Sequence, residues 1–513
     1  MSEGGHAQDI SEICDLLRSE PTSDVIHRLR ERFDSLGKHL RAGPFMEVFE
    51  AVLGKIPFSA LFSLFTAPDN KLIVAVADVT GLLLKPVTWP MVHQTFEEYI
   101  VQGLAHPHPA VRTLVLNQLL KCNQATDSFS PKYGPHIWRC LEGKSDSDVT
   151  TLARRVLVQL CEAGMAPDHL LSGDSVAAVR ALLAGGESQR FRVYDVVVAA
   201  VRQSDSAFER LRQEGIVELL VQEAVAQDVL VAMNFYELVP ALCASPVPFE
   251  YLDAAGVFGN ALEQIRKAKS DDTAAGSLIR LAALKLFTRM VDAGGVVPAQ
   301  FLEKYPVACE LAELALADDS RSDTKANAVA CIGTIGSNTE ALGYLATEKT
   351  ALNALVTVYN GAVGGLRVEC LRAVSCIFGH SPAPDGTASQ ACYELYERLD
   401  NGKFLGGLVK EIMKGFEESF AAALSVVQKM ALHAWGVHEI AAHKNMVSFL
   451  LKRDSSRVKA AQQWQFAAVQ SIVNSPDAKA EFDSDTLAQL TRFVREGPYY
   501  AGAAIARVAL ENI

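Results

Sequence analysis

One nine-residue pattern occurs twice in this chain, and its spacing limits the fold more than any other feature. Phe208, Leu211, Gly215 and Ile216 are echoed 41 residues later by Phe249, Leu252, Gly256 and Val257. Phe and Leu three positions apart share one face of a helix. A glycine after them can take the left-handed conformation that ends a helix, and the branched residue opens the next one. The pattern therefore reads as helix, stop, helix, repeated at roughly the 40–47-residue period of armadillo and HEAT units.

The rest of the chain follows the same rule. Long segments place apolar residues at i, i+3, i+4 and i+7, and alternating strand-like stretches are nearly absent. Long helices are expected from Pro109, Asp148, Tyr194, Asp228, Leu278, Thr324 and Leu366, with two more near Phe420 and Arg457. From Val111 to Val149 is 38 residues, and the steps to Gln189 and then Val229 are 40 each. The expected fold is an all-α armadillo/HEAT-type right-handed superhelical solenoid rather than an irregular helical bundle. Residues 101–513 read as continuous repeats, and residues 1–100 as degenerate helical repeats in one domain with them. Turn-forming stretches at 379–390 and 269–277 mark loops too short to separate moving domains.

Composition bounds the function. Of 513 residues, 49% are hydrophobic and 21% charged, enough apolar surface for a continuous core. The formal charge of −12 repels phosphate backbones and argues against nucleic acid as a primary ligand. The opening MSEGGHAQDI has neither a basic nor an apolar leader region. The apolar run LIVAVADVTGLLL between Lys71 and Lys85 is interrupted by Asp78 and falls short of the roughly 18 residues of a spanning helix, so no membrane association is expected. Ten scattered cysteines without a Cys-x-x-Cys pair read as reduced core residues of a cytosolic or nuclear protein.

Catalytic and metal motifs fail on spacing. Gly143-Lys144-Ser145 resembles the end of a phosphate loop, but Trp138 stands where glycine is required. His438 and His443 are five residues apart, about 140° around an ideal helix, where chelation from one face needs four. His106-Pro-His108-Pro reads as a helix-start loop. The glycines at 333, 336, 361, 364 and 365 do not form a dinucleotide fingerprint, and Glu417-Glu418 reads as a solvated pair. No enzyme activity, cofactor, metal or small-molecule substrate is expected.

Six blocks stand in a telling order: GLAHPHPAVRTLVLNQL from Gly103, RFRVYDVVVAAV from Arg190, EGIVELL from Glu214, DVLVAM from Asp228, IGTIGSN from Ile332 and the ending REGPYY from Arg495. Together they resemble the family of 26S proteasome non-ATPase regulatory subunit 5 over roughly residues 100–500. The resemblance implies a chaperone for assembly of the regulatory particle base, which holds an ATPase subunit and leaves before the proteasome is complete.

A solenoid presents an extended inner surface suited to grasping a small domain by many modest contacts. Positions six and ten after the leading apolar residue of an inner helix should face that concave surface. They select Asn117, Arg155, Gln159, Asp195 and Arg372 as partner-binding candidates. The alternative is an armadillo/HEAT adaptor or transport receptor. Against peptide reading, Trp89, Trp138, Trp435 and Trp464 lack the regular spacing such a receptor would show.

Overall fold

Left-handed glycines set the helix boundaries where the echo predicts them. Gly215 has φ +71° between helices Asp205–Gln213 and Ile216–Gln222, and Gly256 has φ +78° between Pro246–Ala254 and Val257–Lys267. Phe208, Leu211 and Leu252 are buried beneath these turns. The structure is a computed structural model describing residues 5–20, 22–42, 45–124, 127–143, 147–165, 170–171, 173–225, 228–267, 273–317, 322–380, 386–454 and 457–500. Among the described residues all regular structure is helical.

Two compact units divide the chain, Met1–Ala226 and Gln227–Ile513. The backbone of each is a ladder of long helices, one per repeat, numbered here in chain order. The first unit holds α1 (Ser23–Ala42), α2 (Asn70–Leu84), α3 (Pro109–Leu119), α4 (Asp148–Glu162) and α5 (Glu187–Val201), each packed on the next. The second holds α6 (Val229–Leu242), α7 (Ala274–Met290), α8 (Ser322–Ile335), α9 (Gly364–Ile377), α10 (Glu417–Met430) and α11 (Lys459–Asn474), packed in the same way.

Shorter helices fill the intervals and form further rows in the second unit. Pro298–Lys304, Thr339–Glu348 and Thr387–Arg398 pack in series, as do Val257–Lys267, Val307–Leu316 and Thr350–Gly361. Three helices per repeat in three rows is the armadillo arrangement, so the chain is an all-α solenoid.

Helix starts follow capping chemistry. Asp69, Asp228 and Thr273 accept backbone N–H groups at the heads of α2, α6 and α7, and Ser147 forms a capping box with Thr150 at α4. His108 caps α3 with Pro109 at the first helical position, which is the helix-start role its Pro-flanked sequence suggests. Helix α5 begins seven residues before the expected Tyr194, because the Gln189 side chain accepts from the Gly186 N–H and extends the helix through a polar first turn. In the IGTIGSN block, a Cβ on Gly333 would lie 2.5 Å from Ala373 Cα, so glycine there permits the close approach of α8 and α9.

Of the ten cysteines, seven are buried, two are half-buried and Cys376 is exposed; none is paired. Burial pushes the thiols of Cys122, Cys161, Cys331, Cys370 and Cys392 up to about 12. They are protonated, unreactive groups at neutral pH. Among the described residues no single helix is long and apolar enough to cross a membrane.

Candidate partner-binding face

In the first unit a depression of about 740 Å³ runs across the ladder helices α2, α3 and α4. Asn117 lies in it, exposed, next to buried Gln118, whose side-chain oxygen has no hydrogen-bond partner among the described residues. Arg155 is exposed on α4. The side chains of Asn117 and Arg155 make no hydrogen bond or ion pair among the described residues. Both are therefore available to a partner.

The other candidates already have intrachain partners. Half-buried Asp195 accepts from Arg154 at 2.6 Å, which ties α4 to α5. Gln159 donates its amide to the carbonyls of Leu120 and Cys122, 2.9 Å each, just beyond the end of α3. Arg372 is exposed on α9 in the second unit and pairs with Glu369 one turn earlier. Solvent-exposed pairs of this kind contribute little and are easily exchanged for an external partner.

Gln159 belongs to a wider device that sequence reasoning missed. The last carbonyls of a helix have no partner within it. In the second unit Asn338, His380 and His433 each stand three residues beyond the end of a ladder helix, α8, α9 and α10 respectively. Each donates a side-chain N–H to the carbonyl one residue beyond the end of the preceding ladder helix: Asn338 to Val291 at 3.1 Å, His380 to Gly336 at 2.8 Å and His433 to Phe378 at 3.0 Å.

The hydrogen bonds also fix the histidine tautomers. Nε2 faces a carbonyl and must carry the proton, leaving Nδ1 to accept from the hydroxyl of Thr339 at His380 and of Ser389 at His433. Burial lowers the pKa of His433 and keeps the ring neutral.

In the first unit the same joints are made by longer side chains. Lys121 Nζ reaches the carbonyls of Leu84 and Val87 at the end of α2, at 2.5 and 2.8 Å, while buried Arg192 at the head of α5 makes a related contact outside the ladder, to Leu141 and Gly143 beyond the short helix Tyr133–Arg139 at 3.0 and 2.6 Å. Burial lowers the Lys121 pKa. In the second unit the usable sequence signal was a constant offset from the helix end, visible only once the ends are placed.

Among the described residues no three His, Cys, Asp or Glu side chains converge as a metal-holding group. His438 pairs with Glu481 at 2.7 Å, and His443 caps the helix Lys444–Leu451. Lys144 and Ser145, and parts of both expected loops (269–272 and 381–385), lie outside the described residues.

The comparisons match this geometry along nearly the whole chain. A family profile described as proteasome non-ATPase 26S subunit matches residues 19–513. The bovine 26S proteasome non-ATPase regulatory subunit 5 is 23% identical over 486 residues, covering 92% of this chain and 94% of the relative. Its Drosophila melanogaster namesake is 22% identical over 414 residues, 78% of each chain. Among solved structures, yeast importin-beta shares the fold with a TM-score of 0.56 at 11% identity, over 97% of this chain and 67% of that one.

Proposed function

Because this chain belongs to the proteasome non-ATPase 26S subunit family, we propose that it is a non-enzymatic chaperone for assembly of the base of the 26S regulatory particle. A proteasome-related role and interaction with proteasome components follow from the family itself. The finer reading is that the ladder face holds an ATPase subunit of the base and that the chain is absent from the mature particle. Such a chaperone works in the cytoplasm, with the nucleus as a second compartment.

The observation that carries this reading is near-full-length similarity to named regulatory subunits in a chain whose ladder presents Asn117 and Arg155 without side-chain partners among the described residues. A row of such groups offers many modest contacts, which suits a partner that must later be released.

The test is affinity purification of the tagged chain. Base ATPase subunits should co-purify in sub-assemblies, and mature 26S particles should lack the chain. The double variant Arg155→Glu/Arg372→Glu should reduce ATPase capture while shifting stability by no more than about 0.5 kcal/mol, as exposed polar changes usually do. Stable presence in complete proteasomes would refute the chaperone reading, and undiminished capture by the double variant would refute the ladder face as the contact surface.

A further inference from the structure

A second depression, of about 710 Å³, lies in the second unit, and only Arg367 among its lining residues comes from a ladder helix. The other walls are the turn Leu399–Gly402, the helix Phe404–Met413 and the helix Ala434–Ala442 with His443 at its end. We propose that this depression is a receptor for a carboxylate-bearing peptide segment of a partner protein, separate from the ladder face.

The site is built on a buried ion cluster. Arg367, 8% exposed, stacks its guanidinium 3.6 Å over the Tyr359 ring, donates to the Tyr359 carbonyl and forks onto both Asp400 oxygens at 3.0 and 2.9 Å. The Tyr359 hydroxyl donates to Asp400 as well, and the Asp400 N–H donates to the Asn360 side chain at 2.9 Å. These bonds hold three successive left-handed residues, Asp400, Asn401 and Gly402, at φ +49°, +52° and +79°. Two of the three are not glycine, and such conformations persist only where the surroundings over-determine them. A Cβ on Gly407 would fall 1.9 Å from Asp400 Oδ2, so the facing helix must carry glycine there.

This turn delivers donors to the opening. It places Lys403 at the head of Phe404–Met413, a helix whose first turn has no side-chain cap. Lys410, seven residues on, lies on the same helix face. His443 Nδ1 accepts from the Met446 N–H, so its proton sits on Nε2, the ring nitrogen nearest Gly406 in the floor.

Charge bookkeeping then selects the ligand. The three carboxylates of the lining are engaged: Asp400 by Arg367, Glu411 by Lys414 at 2.7 Å, and Glu439 by the Tyr396 hydroxyl at 2.9 Å. Lys403, Lys410 and His443 Nε2 have no partner among the described residues. Arg367 Nε, buried, makes no hydrogen bond among the described residues and stands 3.8 Å from Glu411. What is uncommitted here donates, so the ligand must accept, and charge-assisted bonds to a carboxylate satisfy that need.

The size and the walls favour a chain segment over a free phosphate. The depression far exceeds one ion, and Leu405 and Ala442 give it apolar surface that a lone phosphate would leave uncovered.

The probe is a hexaglutamate peptide with neutral blocked ends, titrated calorimetrically into the full chain. Hexaglutamate should bind the wild type, and Lys403→Glu/Lys410→Glu should weaken it at least about tenfold with an unchanged melting curve. Gly406→Leu, which fills the floor without altering charge, should weaken it as well. Arg155→Glu/Arg372→Glu should leave it within about twofold, which separates this site from ATPase capture on the ladder face. No binding to the wild type, equal binding by the lysine variant or by Gly406→Leu, or inorganic phosphate binding as tightly as hexaglutamate would overturn the proposal.

Discussion

In Met1–Ala226 the carbonyls at the end of one ladder helix are reached from the next repeat by Lys121 and Gln159, whereas in Gln227–Ile513 the task falls to Asn338, His380 and His433. Long side chains reach a target from several backbone positions, so the first unit shows no fixed offset. Short planar side chains have one workable position, three residues past the helix end, and the second unit keeps to it. Helix heads differ at the far end of the second unit, although its first two ladder helices are capped by Asp228 and Thr273. Asp69, His108 and Ser147 cap α2 to α4, while Val363, Phe416 and Val458 stand exposed at the heads of α9 to α11 and cap nothing. The same architecture is thus reached with different chemistry, and in the second unit histidines carry two of the joints between ladder-helix ends.

The largest effect expected from this contrast comes from removing a buried cation in each unit. Arg367→Met leaves half-buried Asp400 without its cation and buried Glu411 with Lys414 alone, and should cost about 3–5 kcal/mol in denaturant unfolding. Arg192→Met strands only two carbonyls and should cost about 1–3 kcal/mol. Equal losses would erase the distinction between an ion cluster and a hydrogen-bonded joint.

The helix-stop glycines should behave alike in both units. Gly215→Val and Gly256→Val each force a branched residue into the left-handed region, at a cost of at least about 1–2 kcal/mol. An unchanged melting temperature for either one would break the equivalence of the echo.

Proton sensitivity should separate the units at a smaller scale. The lowered pKa of His433 means that the unfolded chain binds the proton more readily. Its stabilising contribution is present above the unfolded histidine value of about 6.5 and is lost as pH falls through the folded value. His433→Asn, which copies the residue type at Asn338, should cost about 1 kcal/mol near neutrality and flatten the acid side of the stability profile. Lys121→Met in the first unit should leave that part of the profile unchanged. The exposed pair of His438 with Glu481 has the opposite sign, since its raised pKa favours the folded state at low pH and that contribution is lost as pH rises. Subtraction of variant from wild-type profiles isolates His433. The smallest change is Asn117→Ala, expected within about 0.5 kcal/mol of wild type in stability, with its effect confined to partner capture.

What the sequence revealed follows from which interactions are local. The glycine echo was readable because a left-handed stop depends on one residue and its immediate neighbours. The first hundred residues resisted the same reading because, among the described residues, no glycine before Gly164 has a positive φ. Their repeats end by other means, although Phe33, Leu36 and Leu40 of α1 form an ordinary helical core face. The inner-face register found Asn117 and Arg155 exposed, but ten positions into α4 it reached Gln159, which faces back to the end of α3. His380 and His433 escaped notice because an isolated histidine in an apolar stretch carries no periodic signal of its own. The Asp400-Asn401-Gly402 turn is built from residue types that tolerate the left-handed conformation, but the partners that converge on Asp400, Arg367 and Tyr359, lie 33 and 41 residues away, beyond the reach of any local pattern.

The turn Leu399–Gly402 also bears on how such an array can change over generations. Ladder helices α8 and α9 begin 42 residues apart, as do α10 and α11, but from the start of α9 to the start of α10 is 53. The longer interval contains the turn and the donor-lined depression, yet His433 still meets Phe378 across it. Each joint senses only its two neighbouring helix ends, so chain length added between them is invisible to the array. Novelty can therefore accumulate inside one interval, under its own selection, while the inherited framework on either side is preserved.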